Sequence, residues 1–146
     1  MIFKAGDDLR ADILTLQMFR IMDRLWQAAG LDLRLSIYGC TSTGQDMGFI
    51  EVVPESSTAA AIQKKAAKIA GPFMKTPLAN WLKEQNPDPD SFEQARSNFI
   101  YSCAGYCVAT YILGIGDRHN DNILITKTCD SPAPRFSLLL SSSCVC

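Results

Sequence analysis

The chain has 146 residues, 47% of them hydrophobic and 20% charged, with 14 basic against 15 acidic side chains. That is room for about one domain, and a high apolar share with a net charge of −1 excludes a disordered chain. The same balance provides no basic face, so no nucleic-acid partner is expected.

The opening Met-Ile-Phe-Lys-Ala-Gly-Asp-Asp lacks the basic start and apolar core of a secretory leader. Free thiols are therefore expected of the cysteines at 40, 103, 107, 129, 144 and 146. Cys103 and Cys107, four apart, could share a helix face as metal ligands, but no second pair stands at zinc-like spacing. Buried packing thiols are the preferred reading. The longest apolar run, residues 106–115, falls far short of the roughly 20 residues of a membrane span.

In chain order, residues 1–4 read as a short strand broken by Gly6-Asp7-Asp8, whose acids suit the start of a helix. Apolar residues at 9, 13, 16, 21 and 25 predict an amphipathic helix closed by Gly30. Alternation over residues 31–38 predicts a strand, residues 41–45 a polar turn, and residues 48–53 a second strand stopped by Pro54. Ser57 or Thr58 caps an Ala-rich helix to Ala70, and residues 78–85 form a short helix with Trp81. Ser91 caps a long helix to Leu113, with a stripe at 92, 95, 99, 103, 106 and 110 and a second half apolar enough to be buried. Glycines end that helix ahead of a polar loop at 117–122, and residues 123–125 are a short strand. Residues 131–146 follow neither a 2.0 nor a 3.6 period, and an irregular tail is expected there.

The densest polar cluster is that loop, Asp-Arg-His-Asn-Asp-Asn at 117–122. A carboxylate can orient or deprotonate a hydroxyl, the chain's only imidazole can shuttle a proton, and an Asn oxygen can hold Mg²⁺. A hydrogen-bonded turn explains the same residues. Both readings stand on spacing alone.

The run at 102–122, Ser-Cys-Ala-Gly-Tyr-Cys-Val-Ala-Thr-Tyr-Ile-Leu-Gly-Ile-Gly-Asp-Arg-His-Asn-Asp-Asn, resembles the catalytic-loop region of phosphoinositide 3-kinases. The opening Ile-Phe-Lys-Ala-Gly-Asp-Asp-Leu-Arg-Ala-Asp at 2–12 resembles the same family, which usually has Gln at the position of Ala11. Gly-Leu-Asp-Leu-Arg at 30–34, Tyr-Gly-Cys at 38–40 and Ile-Glu-Val-Val at 50–53 match in the same order, so the resemblance covers residues 2–126. Class I and class II catalytic subunits both fit. The cysteines and Gly-Ile-Gly-Asp disfavour phosphatidylinositol 4-kinases.

The resemblance implies an α+β, two-lobed, protein-kinase-like fold in incomplete form. Residues 1–53 would end the small lobe, 54–130 would begin the helical large lobe, and 131–146 would be a divergent tail. It implies ATP and Mg²⁺ as cofactors and phosphorylation of the inositol 3-hydroxyl of phosphatidylinositol lipids. Lys4 matches the lysine on the ATP phosphates, and Asp12 the acid that fixes it. Tyr38 matches the aromatic at the back of the nucleotide pocket, and Leu124 its apolar floor. Glu51 and Val53 match the hinge whose backbone meets adenine. Asp117 and His119 match the catalytic pair, without dividing the labour between them, and Asn122 matches a magnesium ligand. Lys4 and Asp117 are expected to face each other across the cleft. The implied setting is cytoplasmic with peripheral recruitment to membranes, a phosphoinositide lipid as partner, and room for a regulatory subunit.

The match fails beyond Thr126. The family's Asp-Phe-Gly segment is replaced by Thr-Cys-Asp-Ser-Pro at 128–132, and the metal role is not carried onto Asp130. The family's phosphate-covering loop would precede Lys4, and further large-lobe helices would follow. On this reading the chain by itself is expected to lack measurable lipid kinase activity. A non-catalytic product that binds partners is the competing reading.

Overall fold

The computed structural model describes residues 1–70, 76–116, 119–126 and 136–138. Strand β1 is Ile2–Ala5. It ends where Gly6 takes φ +81°, a left-handed conformation that only glycine adopts without strain. The Gly6 and Asp7 N–H groups both donate to the Asp46 carbonyl, at 2.7 and 3.1 Å. Helix α1, Arg10–Ala28, follows at once. Its inward stripe is Leu9, Asp12, Leu16 and Phe19, continued by Met22 and Trp26. The expected stripe leaves it beyond Leu16, and Ile21 and Leu25 are exposed. Steps of three and four residues from position 16 reach 19, 22 and 26, whereas 21 lies five residues on and points elsewhere. Gly30 closes the helix as expected, with φ +80°. Its N–H donates to the Gln27 carbonyl and that of Leu31 to Trp26, the paired bonds of a Schellman end.

Residues 31–39 are not a strand. Arg34 has φ +54°, which breaks an extended run, and its N–H donates to Asp32 Oδ1. The alternation is instead spent on a non-strand segment laid against a later helix. There the Tyr106 hydroxyl donates to the Ser36 carbonyl at 2.7 Å, and the Arg34 guanidinium donates to Asn98. Side chains thus meet polar groups that a ladder would have met.

The hairpin lies later than expected: β2 is Cys40–Gly44 and β3 is Met47–Ile50. Much of the expected turn at 41–45 is therefore strand, and the turn falls at Gln45-Asp46, with Asp46 at φ +54°. The sheet order is β1-β3-β2, antiparallel throughout. Pairing Lys4 with Gly48 and Ile2 with Ile50 puts these residues on one face, and Phe3–Phe49 and Ala5–Met47 on the other. A Cβ on Gly48 would collide with the Thr41 carbonyl and lie 2.7 Å from Leu9 Cδ1. The first face is therefore the one that α1 covers.

A second antiparallel sheet runs β4-β5-β6, with β4 at Ser56–Thr58, β5 at Ile123–Thr126 and β6 at Phe136–Leu138. Strand β6 lies within the span expected to be irregular, and the other residues of that span are outside those described. Helix α2, Ala59–Ala70, is capped by Thr58, whose Oγ1 accepts the Ala61 N–H at 3.1 Å. Helix α3, Pro77–Gln85, buries Trp81 and Leu82.

Helix α4, Pro89–Ile112, is capped by Asp88 rather than Ser91, the Ser91 N–H and hydroxyl both donating to the Asp88 carboxylate at 3.0 Å. Its buried stripe is Ala95, Asn98, Ser102, Gly105, Tyr106 and Ala109. Small residues there admit Leu33 and Leu35, which would lie within 3.1 Å of a Cβ on Gly105. The second half is not buried all round, since Val108, Ile112 and Tyr111, the last at 88%, face outward.

One core cluster joins Leu9, Leu16, Phe19, Leu35, Tyr38 and Ile50 to Tyr106 and Ala109 of α4, with Phe19 and Tyr106 edge to face at 5.4 Å. A second joins Ile62, Trp81, Leu82 and Ile125 to Phe92 and Phe99. Helix α4 thus belongs to both. Cys40, Cys103 and Cys107 are free thiols, and Cys107 is exposed rather than buried. Burial pushes the Cys103 thiol up to about 12, so it packs as a small hydrophobe. No described helix is long and apolar enough to cross a membrane.

Candidate functional site

The Gly6 turn places three acids after Lys4, and each meets a different fate. Asp7 forms an ion pair with the half-buried Lys4 ammonium. Asp8 holds Arg10 through three side-chain bonds of 2.6, 2.9 and 3.0 Å, and that guanidinium keeps its carboxyl down at about 2. Asp12 is only 5% exposed, and its Oδ2 meets no hydrogen-bond donor. Burial pushes the Asp12 carboxyl above the usual carboxylate range, Lys4 opposes the shift, and Asp7 and Asp8 add to it. Cys40, the first residue of β2, lies in the same field, its thiol raised by burial and then by Asp12, and lowered by Lys4. The Lys4 and Asp12 charges are coupled across this turn, and Asp7 joins them through its ion pair with Lys4. The signal for Asp7 was present as an i, i+3 charge pair across a glycine.

Tyr38 is buried in the first core cluster with Ile50, against Val53. Its carbonyl accepts from the Arg20 guanidinium at 3.1 Å. The next residue ties this region to residues 51–53. The Gly39 N–H donates to the Glu51 carboxylate at 2.6 Å, and the Glu51 N–H donates to the Gly39 carbonyl at 2.8 Å. Glu51 thus has a side-chain duty that the family resemblance did not supply. Residues 51–53 lie outside any strand. The Val53 carbonyl accepts from the Ser56 hydroxyl at 2.8 Å, which leads the chain into β4.

Strand β4 pairs Thr58 with Leu124 of β5, so the second sheet carries residues 51–58 to the loop before Ile123. Leu124 is buried. In that loop the Asn122 side-chain oxygen accepts the His119 N–H at 3.2 Å, and the Asn122 N–H donates to the His119 carbonyl at 3.1 Å. The Asn120 carbonyl accepts the Ala60 N–H at 2.9 Å, and its side chain donates to Gln63, fastening the loop to the start of α2. His119 Nδ1 accepts the Asp121 N–H at 3.2 Å. In the neutral ring the proton then sits on Nε2. The Asp121 carboxylate, 3.9 Å from Nδ1, pairs only with a protonated ring, which forfeits the Asp121 N–H bond. Asp117 lies outside the described residues, as does Asp130, so the expected facing of Lys4 and Asp117 does too.

The family model for phosphatidylinositol 3- and 4-kinase matches residues 1–136. Phosphatidylinositol 3-kinase 3 of Dictyostelium discoideum is 59% identical over 125 residues, covering 86% of this chain and 7% of its own length. Phosphatidylinositol 3-kinase 1 of the same organism is 60% identical over 128 residues, covering 87% of this chain and 8% of its own length. The human phosphatidylinositol 4-phosphate 3-kinase C2 domain-containing subunit beta is 54% identical over 128 residues, with shares of 88% and 8%. The chain spans less than a tenth of the length of these curated relatives.

Proposed function

The chain belongs to the phosphatidylinositol 3- and 4-kinase family, and we propose that it forms the nucleotide-holding and phosphoryl-transfer segment of a lipid kinase. The observation that carries this reading is the Lys4–Asp7–Asp12 cluster, whose field reaches Cys40, next in sequence to the Gly39 that is bonded to Glu51. It sets a half-buried ammonium on the sheet whose strand β3 leads directly into a run of backbone kept out of any strand. In the proposal Lys4 takes the ATP phosphates, Tyr38 and Leu124 flank the base, and the backbone of Glu51 and Val53 meets its edge. Residues 1–53 then end a small lobe, 54–130 begin a large lobe, and 131–146 are a tail.

The reaction moves the γ-phosphoryl group of ATP to the inositol 3-hydroxyl of a phosphoinositide. The bond from phosphorus to the β–γ bridging oxygen breaks, one to the inositol oxygen forms, and the hydroxyl proton leaves to a base. A neutral His119 with its proton on Nε2 is a donor to the transferring oxygens, so the base in this reading is Asp117.

The family uses ATP with Mg²⁺ in general. Asn122 fits that ion by the chemistry of its donor: its side chain offers an oxygen, and Mg²⁺ favours oxygen donors completed by water and phosphates. Mg²⁺ bound there supplies charge neutralisation of the phosphates. The proposed setting is cytoplasmic, recruited peripherally to a membrane, with a regulatory subunit as a further partner.

The test is equilibrium binding of ATP with Mg²⁺ to the chain. Saturable binding that Lys4→Met weakens at least tenfold is expected. Binding indifferent to Lys4→Met, or no binding, overturns the assignment.

A further inference from the structure

Lys4 is the one ammonium in a cluster that offers it two carboxylates. It pairs with Asp7, in the turn between β1 and α1. Asp12, in the first turn of α1, is buried with an unmatched Oδ2 and lies within the electrostatic reach of the same ammonium. A buried carboxyl without a partner is costly, and Lys4 on Asp12 is the arrangement that would relieve it. Asp8 does not compete, because Arg10 holds it. The turn is braced by Asp46 and its glycine, and α1 is anchored by the fully buried Leu9. Both carboxyls are thus stations on braced backbone, and the long Lys4 side chain is the part with rotamer freedom.

We infer that Asp7 is a positioning residue, a resting partner that competes with a bound nucleotide's phosphates for the Lys4 ammonium, and that Asp12 receives the ammonium when Asp7 gives it up. This rests on the nucleotide-holding role proposed above. Asp7 touches neither nucleotide nor lipid in this scheme. It sets how much of the Lys4–phosphate attraction appears as affinity, because a ligand's apparent binding falls when its partner is already engaged.

Two measurements test it. The first is titration of ATP with Mg²⁺ into the natural chain, Asp7→Asn and Asp12→Asn. Asp7→Asn is expected to tighten binding about two- to fivefold, the scale of removing one partly exposed ion pair, and Asp12→Asn to weaken it. Unchanged or weaker binding in Asp7→Asn overturns the inference.

The second needs no nucleotide: the Asp12 carboxyl is titrated by ¹³C NMR. Removing the Asp7 charge lowers the Asp12 midpoint by itself, so the change is measured with Lys4 present and in a Lys4→Met background. Asp7, Asp8, Cys40 and Lys4 are the groups facing Asp12 that the comparison must hold in view. The expected result is a larger drop when Lys4 is present, because the freed ammonium then moves to Asp12. Equal drops in the two backgrounds overturn the second station. If the natural chain binds no nucleotide, the proposed function fails while this second result still decides the two stations.

Discussion

Around Lys4, one ammonium serves two carboxyls, those of Asp7 and Asp12, and Asp12 is left buried with an oxygen that no donor reaches. In residues 119–122 the polar groups are tied down instead. Asn122 and His119 exchange bonds, Asn120 is pinned to α2, and the His119 ring accepts from Asp121. The first region is electrostatically unfinished and responsive to an added charge. The second is geometrically finished and holds its donors in place beforehand, which is what positioning of a transferring group requires. A kinase needs both: a cation free to engage phosphate, and a loop that does not have to reorganise at the moment of transfer.

The contrast breaks most severely at Gly48, which lets α1 lie against the sheet beside Lys4. A Cβ there would strike the Thr41 carbonyl and Leu9 Cδ1, and the first of these is backbone that cannot rotate away. Gly48→Val is expected to cost about 3 kcal/mol, seen as a fall in the denaturant midpoint. The loss should open the Lys4 cluster first, with faster amide exchange in β1 and the start of α1 than in residues 119–122. Asn122→Ala strikes the other region and is expected to cost about 2 kcal/mol, because it strands the His119 N–H without its acceptor. Asn122→Asp keeps an acceptor and should recover part of that loss. Exchange of the His119 amide should quicken in the alanine variant alone.

How much of this was legible in the sequence follows the same division. The C-terminal end of α1, the Thr58 cap and the strand after the loop were readable because glycine, threonine and a short apolar run act locally. The α1 N-cap, by contrast, is Leu9 and not one of the acids before it. Residues 31–38 were misread as a strand because alternation reports which side chains are buried. It does not report whether the backbone finds a ladder, and here the Ser36 carbonyl is met by Tyr106 and the N–H of Arg34, at positive φ, by Asp32. The outward face of α4 was misread because an all-apolar helix looks buried whichever of its faces has a partner. At the site, Lys4, Asp12, Tyr38 and the loop residues came from family resemblance, since each alone is an ordinary surface or core residue. Asp7 stands at an i, i+3 spacing from Lys4 across a glycine, a local signal that the resemblance did not single out. The side-chain duty of Glu51 is a three-dimensional fact that no local spacing specifies.

A subtler effect separates the regions by pH. The folded Asp12 carboxyl, raised chiefly by burial, keeps its proton over a range where the unfolded chain has lost it. The folded state then binds more protons than the unfolded one, so Asp12's contribution to stability falls as pH rises above the ordinary carboxylate range. Asp12→Asn should remove that slope and be more stable than the natural chain at neutral pH. The advantage should vanish in acid, where both states are protonated. Urea midpoints across pH 3–8 measure it. A natural chain that gains stability relative to Asp12→Asn as pH rises would show that Asp12 is held ionised, and that the first region is as finished as the second.

The smallest change in stability is expected at His119, and it bears most directly on the chemistry. Its side chain is 54% exposed and accepts one bond, so His119→Ala should move the unfolding free energy by no more than about 0.5 kcal/mol. The chain has a single histidine, so its ¹⁵N imidazole signals need no assignment. In the neutral ring those signals should show the proton on Nε2, because Nδ1 is occupied as an acceptor by the Asp121 N–H. That tautomer makes the outward nitrogen a donor, suited to the oxygens of a transferring phosphoryl group and unsuited to taking a hydroxyl proton. In the proposed scheme the proton then goes to a carboxylate, and Asp117 is the one the family resemblance assigns. A neutral ring protonated on Nδ1 instead would leave Nε2 as the free acceptor. His119 would then be the base, and the loop would be less finished before ligand arrives than its hydrogen bonds indicate.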